Sequence, residues 1–423
     1  MTVEKQLRDY PFEEFRGDLP AELLKMVRDE PISRVRLPDG RPVWLVVGYE
    51  EVCAALAAPG LTRHPGMEPT EAVLPTETVE PTDGPEPAGT AGPAGTAGPA
   101  EGRCPVAPLV RELGMNGAAH ASLRRLAARA FTARRIEAYR PRVQQITDEL
   151  VDAMEAGGKP ADLISGLVAP LPALVVCEVL GVPATDRDRF NAWVADINSL
   201  TAYGSPEAAR SSAELRAYLF AQLTVKRATP GDDLLSAWLA AQADDELSDE
   251  EIVGLAVGVL IGGREINSTS AGIRALFLHP EQLARLRDDP ALLPRAVDEI
   301  LRYTSVSPMF LVQTATRDVS LRGTLIRAGE AVMAVPWAAN RHPDFFPEPD
   351  VFDVGRTPNP HLTFGYGPHF CLGAALGRLQ IEVAIGTLLR RLPALAPAVP
   401  IDELPWRHDR INCGIAEFPI TWR

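Results

Sequence analysis

Lysine is scarce in this 423-residue chain: Lys5, Lys25, Lys159 and Lys226 are the only lysines, and the other basic residues are arginines. None follows a glycine loop in the Gly-Lys-Ser/Thr order of a phosphate-binding loop, since Gly158-Lys159 runs into Pro160. Cysteine is sparse too. Cys53, Cys104, Cys177, Cys371 and Cys413 are odd in number, scattered and without a Cys-x-x-Cys pair. That excludes a disulfide framework or a zinc knuckle and leads us to expect a reducing, cytoplasmic setting. No run approaches the ~18–20 apolar residues of a membrane span. Charges at Glu4, Lys5, Arg8, Asp9, Glu13, Glu14 and Arg16 argue against a signal peptide. A net positive charge is also missing: the formal charge is −14, so neither nucleic acid nor membrane is an expected partner. What is present is the composition of a folded protein, with 46% hydrophobic and 23% charged residues.

Along the chain, Val35 and Leu37 alternate with polar residues, as do Val43, Leu45 and Val47 beyond the Asp39-Gly40 turn, predicting a hairpin and then a short helix. Residues 67–102 shift to Pro, Gly, Thr, Ala and Glu, with Gly-Thr-Ala-Gly-Pro-Ala at 89–94 repeated at 95–100, and are expected to form a flexible insertion. From Ala118 to about Leu278 the pattern is helical. The longest helix is expected to start at Ser248, whose spacing to Glu251 makes a capping box. A further helix is expected at Pro294 to Tyr303, β structure over 306–336, and a last helix from Cys371 that Pro393 stops. The fold class expected is mainly α with a minor β region, as a single domain over 1–423.

The run Phe364-Gly365-Tyr366-Gly367-Pro368-His369-Phe370-Cys371-Leu372-Gly373 is the most informative stretch. Gly365 and Gly367 allow close backbone approach, and a helix beginning at Cys371 would aim free N–H groups and the positive end of its dipole at the sulfur. A thiolate so placed suits a soft, oxidisable metal. A dinucleotide fingerprint fails here, because Phe370 stands where its third glycine should be.

Phe-Gly-x-Gly-x-His-x-Cys-x-Gly resembles the haem-binding signature of the cytochrome P450 family at every fixed position. The resemblance implies the P450 fold, with the haem between the long central helix and the cysteine-loop helix, and Cys371 as axial ligand of iron protoporphyrin IX (haem b) with O2 as co-substrate. Phe364, Gly365 and Gly373 are implied to line the cofactor, and His369 to bond a propionate. Further landmarks follow in the family's order. Glu299-Ile-Leu-Arg302 resembles its structural Glu-x-x-Arg pair, and His120-Ala-Ser-Leu-Arg124 resembles its His-x-x-x-Arg helix, with both side chains implied to reach the propionates. The cluster Arg124, Arg125, Arg129, Arg134 and Arg135 is implied to border the face where an acidic ferredoxin docks. With no flavin or nicotinamide motif in the chain, a ferredoxin and a ferredoxin reductase are the implied electron donors. A small molecule or peptide is the implied substrate, and a monomer is expected.

The chain also departs from the family. Gly262-Gly263-Arg264-Glu265-Ile266-Asn267 keeps both glycines and the acid, but Ile266 stands where a threonine normally relays protons. Glu265 with Asn267, Ser268, a water or a substrate hydroxyl is left to serve that role. Members lacking the threonine often couple aromatic groups oxidatively, so coupling is expected first, with hydroxylation or epoxidation as the alternative and a non-catalytic scaffold as a remote third. Gln313 occupies the place of a propionate-binding arginine, and Val351 that of the arginine completing the Glu-Arg-Arg network, for which Arg341 and Arg356 are both candidates. Val259, Gly262, Gly263, Ile266, Met309, Phe310 and Leu311 are the expected pocket residues.

Overall fold

The computed structural model describes residues 7–12, 15–38, 40–62, 117–198, 205–242, 247–263, 267–304, 312–407 and 414–423. The expected insertion at 67–102, and Arg264, Glu265, Ile266, Met309, Phe310 and Leu311, lie outside the described residues.

Helices dominate. The first two are α1 (Ala21–Asp29) and α2 (Tyr49–Ala57); α3 (Gly117–Ala130), α4 (Ala133–Ala138), α5 (Arg140–Gly157) and α6 (Pro170–Leu180) follow. Next come α7 (Arg187–Asn198), α8 (Pro206–Ala228), α9 (Leu234–Gln242), α10 (Asp249–Gly262) and α11 (Asn267–Leu278). The series closes with α12 (Pro280–Asp288), α13 (Leu293–Tyr303), the short α14 (Pro336–Ala339) and α15 (Ala374–Arg391).

Local chemistry sets many of these boundaries. Ser248 Oγ accepts the Glu251 N–H at 3.2 Å while the Glu251 carboxylate accepts the Ser248 N–H at 2.7 Å, so the expected capping box opens α10. Proline occupies the first turn of α6, α8 and α12, where its missing N–H costs nothing. Gly181 ends α6 in the left-handed conformation, φ 75°, and its N–H returns to the preceding carbonyls. The helix from Ser248 is described over 14 residues, with the Gly263 N–H on the Val259 carbonyl, and residues 264–266 beyond it lie outside the described residues; among the described helices α8 is the longest, with 23 residues.

Short strands form a side layer. A six-stranded sheet among the described residues runs in the order β1 (Arg8–Asp9), β2 (Ile32–Arg36), β3 (Pro42–Val46), β6 (Ala331–Ala334), β5 (Val312–Ala315), β4 (Leu61–Thr62). The predicted hairpin is β2–β3, antiparallel from Ile32↔Val46 to Arg36↔Pro42. Val43, Leu45 and Val47 pack into one apolar cluster and Val46 into another, so alternate side chains serve cores on both faces of the sheet. The largest apolar cluster is helical and includes α10, α11, α13 and α15. β7 (Trp406–Arg407) and β8 (Gly414–Ile415) pair near the C-terminus.

Candidate functional site

Cys371 lies in a loop between the sheet side and α15, and it is exposed. The loop is shaped by its glycines. Gly365 and Gly367 have φ of 78° and 71°, conformations open to glycine, and a side chain on Gly367 would come within 3.2 Å of Ala57 in α2. The Cys371 N–H donates to the Phe364 carbonyl at 2.8 Å, folding the loop back on itself. One expectation is corrected here: α15 begins at Ala374 with Gly373 as its cap, not at Cys371, because the Cys371 N–H is turned toward Phe364. The sulfur-bearing residue therefore stands just ahead of the helix rather than in it, still on the side of the unpaired first-turn N–H groups.

Three other expected site residues gather around it. His120, buried in α3, stacks on His369 with ring centroids 4.1 Å apart. One turn on, Arg124 donates to the Phe370 carbonyl, so α3 clasps the cysteine loop directly. Burial pulls the Arg124 guanidinium below its ordinary pKa, and the charge of Cys371 opposes that. A thiol flanked by one guanidinium and two imidazoles is a donor set for a soft metal carrying acidic edges, so the residues fit a haem with its propionates. Cys53 is the contrasting case: burial first, then Glu50 and Glu51, push its thiol up to about 11.

Behind the loop lies the brace. Glu299 and Arg302 on α13 are wholly buried and doubly bonded, Nε to Oε2 and Nη2 to Oε1, each at 2.8 Å. Arg356 supplies the second arginine, its Nε 3.1 Å from Glu299. Arg341 pairs instead with Asp350 at 2.9 Å and stacks 4.0 Å over Tyr303. The open choice between these arginines is thus resolved by position. Val351 is exposed, yet its carbonyl accepts from Arg302 and Arg356 at 3.1 and 2.8 Å.

The remaining expected residues among those described lie on α10 and its cap, at the start of α11 and in the strand Val312–Ala315. Gly262 faces open space, whereas a side chain on Gly263 would strike Val176 of α6 at 2.5 Å, so Gly263 serves helix packing. Val259 is half-buried against the helical core. Asn267 and Ser268 are buried in the first turn of α11. The Asn267 amide lies against Gly414 of β8, where an added Cβ would sit 2.1 Å from Oδ1. Gln313 is buried; its Nε2 reaches the Leu61 carbonyl at 3.5 Å, and its Oε1 has no partner among the described residues.

Composition and spacing did not single out Asp298. Its carboxylate binds Arg378 at 2.7 Å and His361 at 3.3 Å, and Arg378 lies 4.6 Å over the Phe364 ring. Burial acts to raise the Asp298 pKa, but the bonds from His361 and Arg378 prevail and hold it below the usual carboxylate range. A depressed folded pKa gives stability that is complete above the unfolded value of about 3.9 and is lost as pH falls through the folded value. Asp298→Asn should therefore lower the urea midpoint by a constant amount above about pH 5, with the gap closing at more acid pH. A gap that widens on acidification would refute this.

Comparison with known proteins agrees with this geometry. The family model for cytochrome P450 matches residues 219–402. The chain is 39% identical over 421 residues to nocardicin C N-oxygenase of Nocardia uniformis subsp. tsuyamanensis, covering 98% of each. It is 38% identical over 421 residues, again 98% of each, to mycinamicin IV hydroxylase/epoxidase of Micromonospora griseorubida. The solved structure of the mixed-function P450 MycG superposes with a TM-score of 0.83 at 37% identity, covering 99% of this chain and 100% of that one.

Proposed function

The chain belongs to the cytochrome P450 family, and from that membership we propose that it inserts one oxygen atom of O2 into a small-molecule natural product at a haem b held by Cys371. At the coarser level it is a P450 monooxygenase of bacterial secondary metabolism, with the P450 fold and a haem-iron cofactor. The observation that carries the finer reading is the grouping of an exposed Cys371 with His120, His369 and Arg124.

The haem, when bound, supplies the oxygen-activating redox chemistry, and electron donation from the thiolate is what favours O–O cleavage. The chain's own residues hold and orient it. Cys371 would ligate the iron, His120, His369 and Arg124 would hold the propionates, and Phe364, Gly365 and Gly373 would shape the cysteine side. Glu265 with Asn267 or Ser268 serves proton delivery, aided by a water or a substrate hydroxyl because Ile266 has no proton to give. Val259, Gly262, Met309, Phe310 and Leu311 face the substrate. The two electrons come from a ferredoxin reduced by its reductase, docking where Arg125, Arg129 and Arg134 are exposed, with Arg124 between them and the loop of the exposed Phe370. The protein works as a cytoplasmic monomer, one continuous haem domain over 1–423. No helix among the described residues is long and apolar enough to cross a membrane.

Both relatives named above are oxygen-transferring enzymes by name, which favours insertion. Ile266 favours a second reading, oxidative coupling, in which two hydrogens leave the substrate and no oxygen enters. Turnover under isotopically heavy dioxygen, with ferredoxin, reductase and nicotinamide, should add one labelled oxygen to the product. A product lighter by two hydrogens and free of label would overturn insertion in favour of coupling.

A further inference from the structure

Away from the cysteine loop, a surface cleft of about 480 Å³ opens where the start of α5, the end of α12, the start of α13 and the C-terminal half of α15 meet. That volume is in the range of small-molecule sites. Leu286, Leu293, Val383 and Leu389 supply its apolar lining. Its charged residues are Arg140, Arg287 and Arg390 against a single acid, Glu382.

These charges are not equivalent. Arg140 binds Glu382 at 3.0 Å as well as Glu137, and Arg390 reaches Asp148 at 3.3 Å. Gln144 is likewise engaged, donating to Thr387 at 2.8 Å and Asp148 at 3.0 Å. Arg287 stands apart. Among the described residues it has no carboxylate partner, its Nη2 makes only a long 3.4 Å bond to the Leu395 carbonyl, and its buried Nε bonds nothing. An arginine head group without a carboxylate partner, beside an apolar floor, is complementary to one chemical class: an anionic head on an apolar body.

We propose that this cleft binds an amphipathic monocarboxylate, with its carboxylate on Arg287 and its chain along Leu286, Leu293, Val383 and Leu389. Arg140 and Arg390 are already neutralised, so the ligand carries one negative charge rather than several. The position gives such a ligand reach. α13 carries Glu299 and Arg302, α15 follows Cys371, and the cleft lies on their seam. Gly386 of α15 approaches Leu293 of α13 so closely that an added Cβ would come 2.8 Å from the leucine methyl.

Decanoate titrated into the haem-loaded protein tests this by calorimetry, with the Soret band followed in parallel. The expected result is a saturable site whose occupancy leaves the Soret band unshifted, weakened about tenfold or more by Arg287→Gln and largely kept by Arg287→Lys. Decanol, which has the chain without the charge, should bind at least about tenfold more weakly. The carbon monoxide spectrum of each variant verifies that it has folded. The proposal is overturned if decanoate does not bind, or binds only with a Soret shift. It is equally overturned if Arg287→Gln leaves binding unchanged, or if decanol binds as tightly as decanoate.

Discussion

Cys371→Ser is expected to abolish turnover and to shift the Soret band of the reduced, carbon-monoxide-bound protein away from the position that thiolate ligation produces. The argument is chemical: a serine hydroxyl stays protonated at neutral pH and donates little electron density, so the ligand that favours O–O cleavage is gone. The fold should survive the change. Cys371 is exposed, and its link to the loop is its backbone N–H on the Phe364 carbonyl, which serine retains. In the haem-free protein the unfolding free energy should therefore change by no more than the ~0.5 kcal/mol typical of surface substitutions. Cys53→Ser is the control. Its thiol, pushed up to about 11, is no ligand at neutral pH, and the substitution should leave the spectrum intact. A thiolate-type spectrum persisting in Cys371→Ser, or lost in Cys53→Ser, would remove the basis of the site.

Much of this was legible wherever a signal is local. The Ser248–Glu251 capping box, the β2–β3 hairpin and the glycine-shaped cysteine loop depend on residues a few positions apart, and each is found where its spacing placed it. Less was legible where long-range packing decides. Whether Arg341 or Arg356 completes the Glu299 network depends on how residues 343–356 wind past α13, which no periodicity encodes. Gly262 and Gly263 are adjacent and identical, yet only Gly263 meets α6. Asn267 reads as a candidate proton donor from its place in the helix, and that its amide also rests on Gly414 is a contact made by a strand near the other end of the chain. Even the start of α15 moved, because one backbone bond from Cys371 to Phe364 outweighs helix propensity there.

Removing the charge of Glu299 is expected to cost more stability than any other single change in the brace, about 3–5 kcal/mol for Glu299→Gln. The carboxylate is fully buried and faces two guanidiniums, Arg302 and Arg356. It also accepts the Asp353 N–H at 3.0 Å and the Asn359 amide at 3.2 Å. Neutralising it leaves two cations without a counter-charge where burial already pulls Arg302 below its ordinary pKa. The damage should travel to the site along a traceable route. Arg302 donates to the Asn340 carbonyl at 3.0 Å, and the Asn340 side chain holds Leu362 at 2.7 Å and Thr363 at 2.9 Å. Thr363 adjoins Phe364, whose carbonyl positions Cys371. Glu299→Gln should therefore lose haem at a urea concentration below that needed to unfold α5 or α8. Arg356→Gln removes only one of the two cations, at the more exposed end, and should cost about 1.5–3 kcal/mol. Urea unfolding followed by haem absorbance and by far-ultraviolet circular dichroism checks both points. Coincident transitions in Glu299→Gln, or an Arg356→Gln variant less stable than Glu299→Gln, would show that the brace does not act through this route.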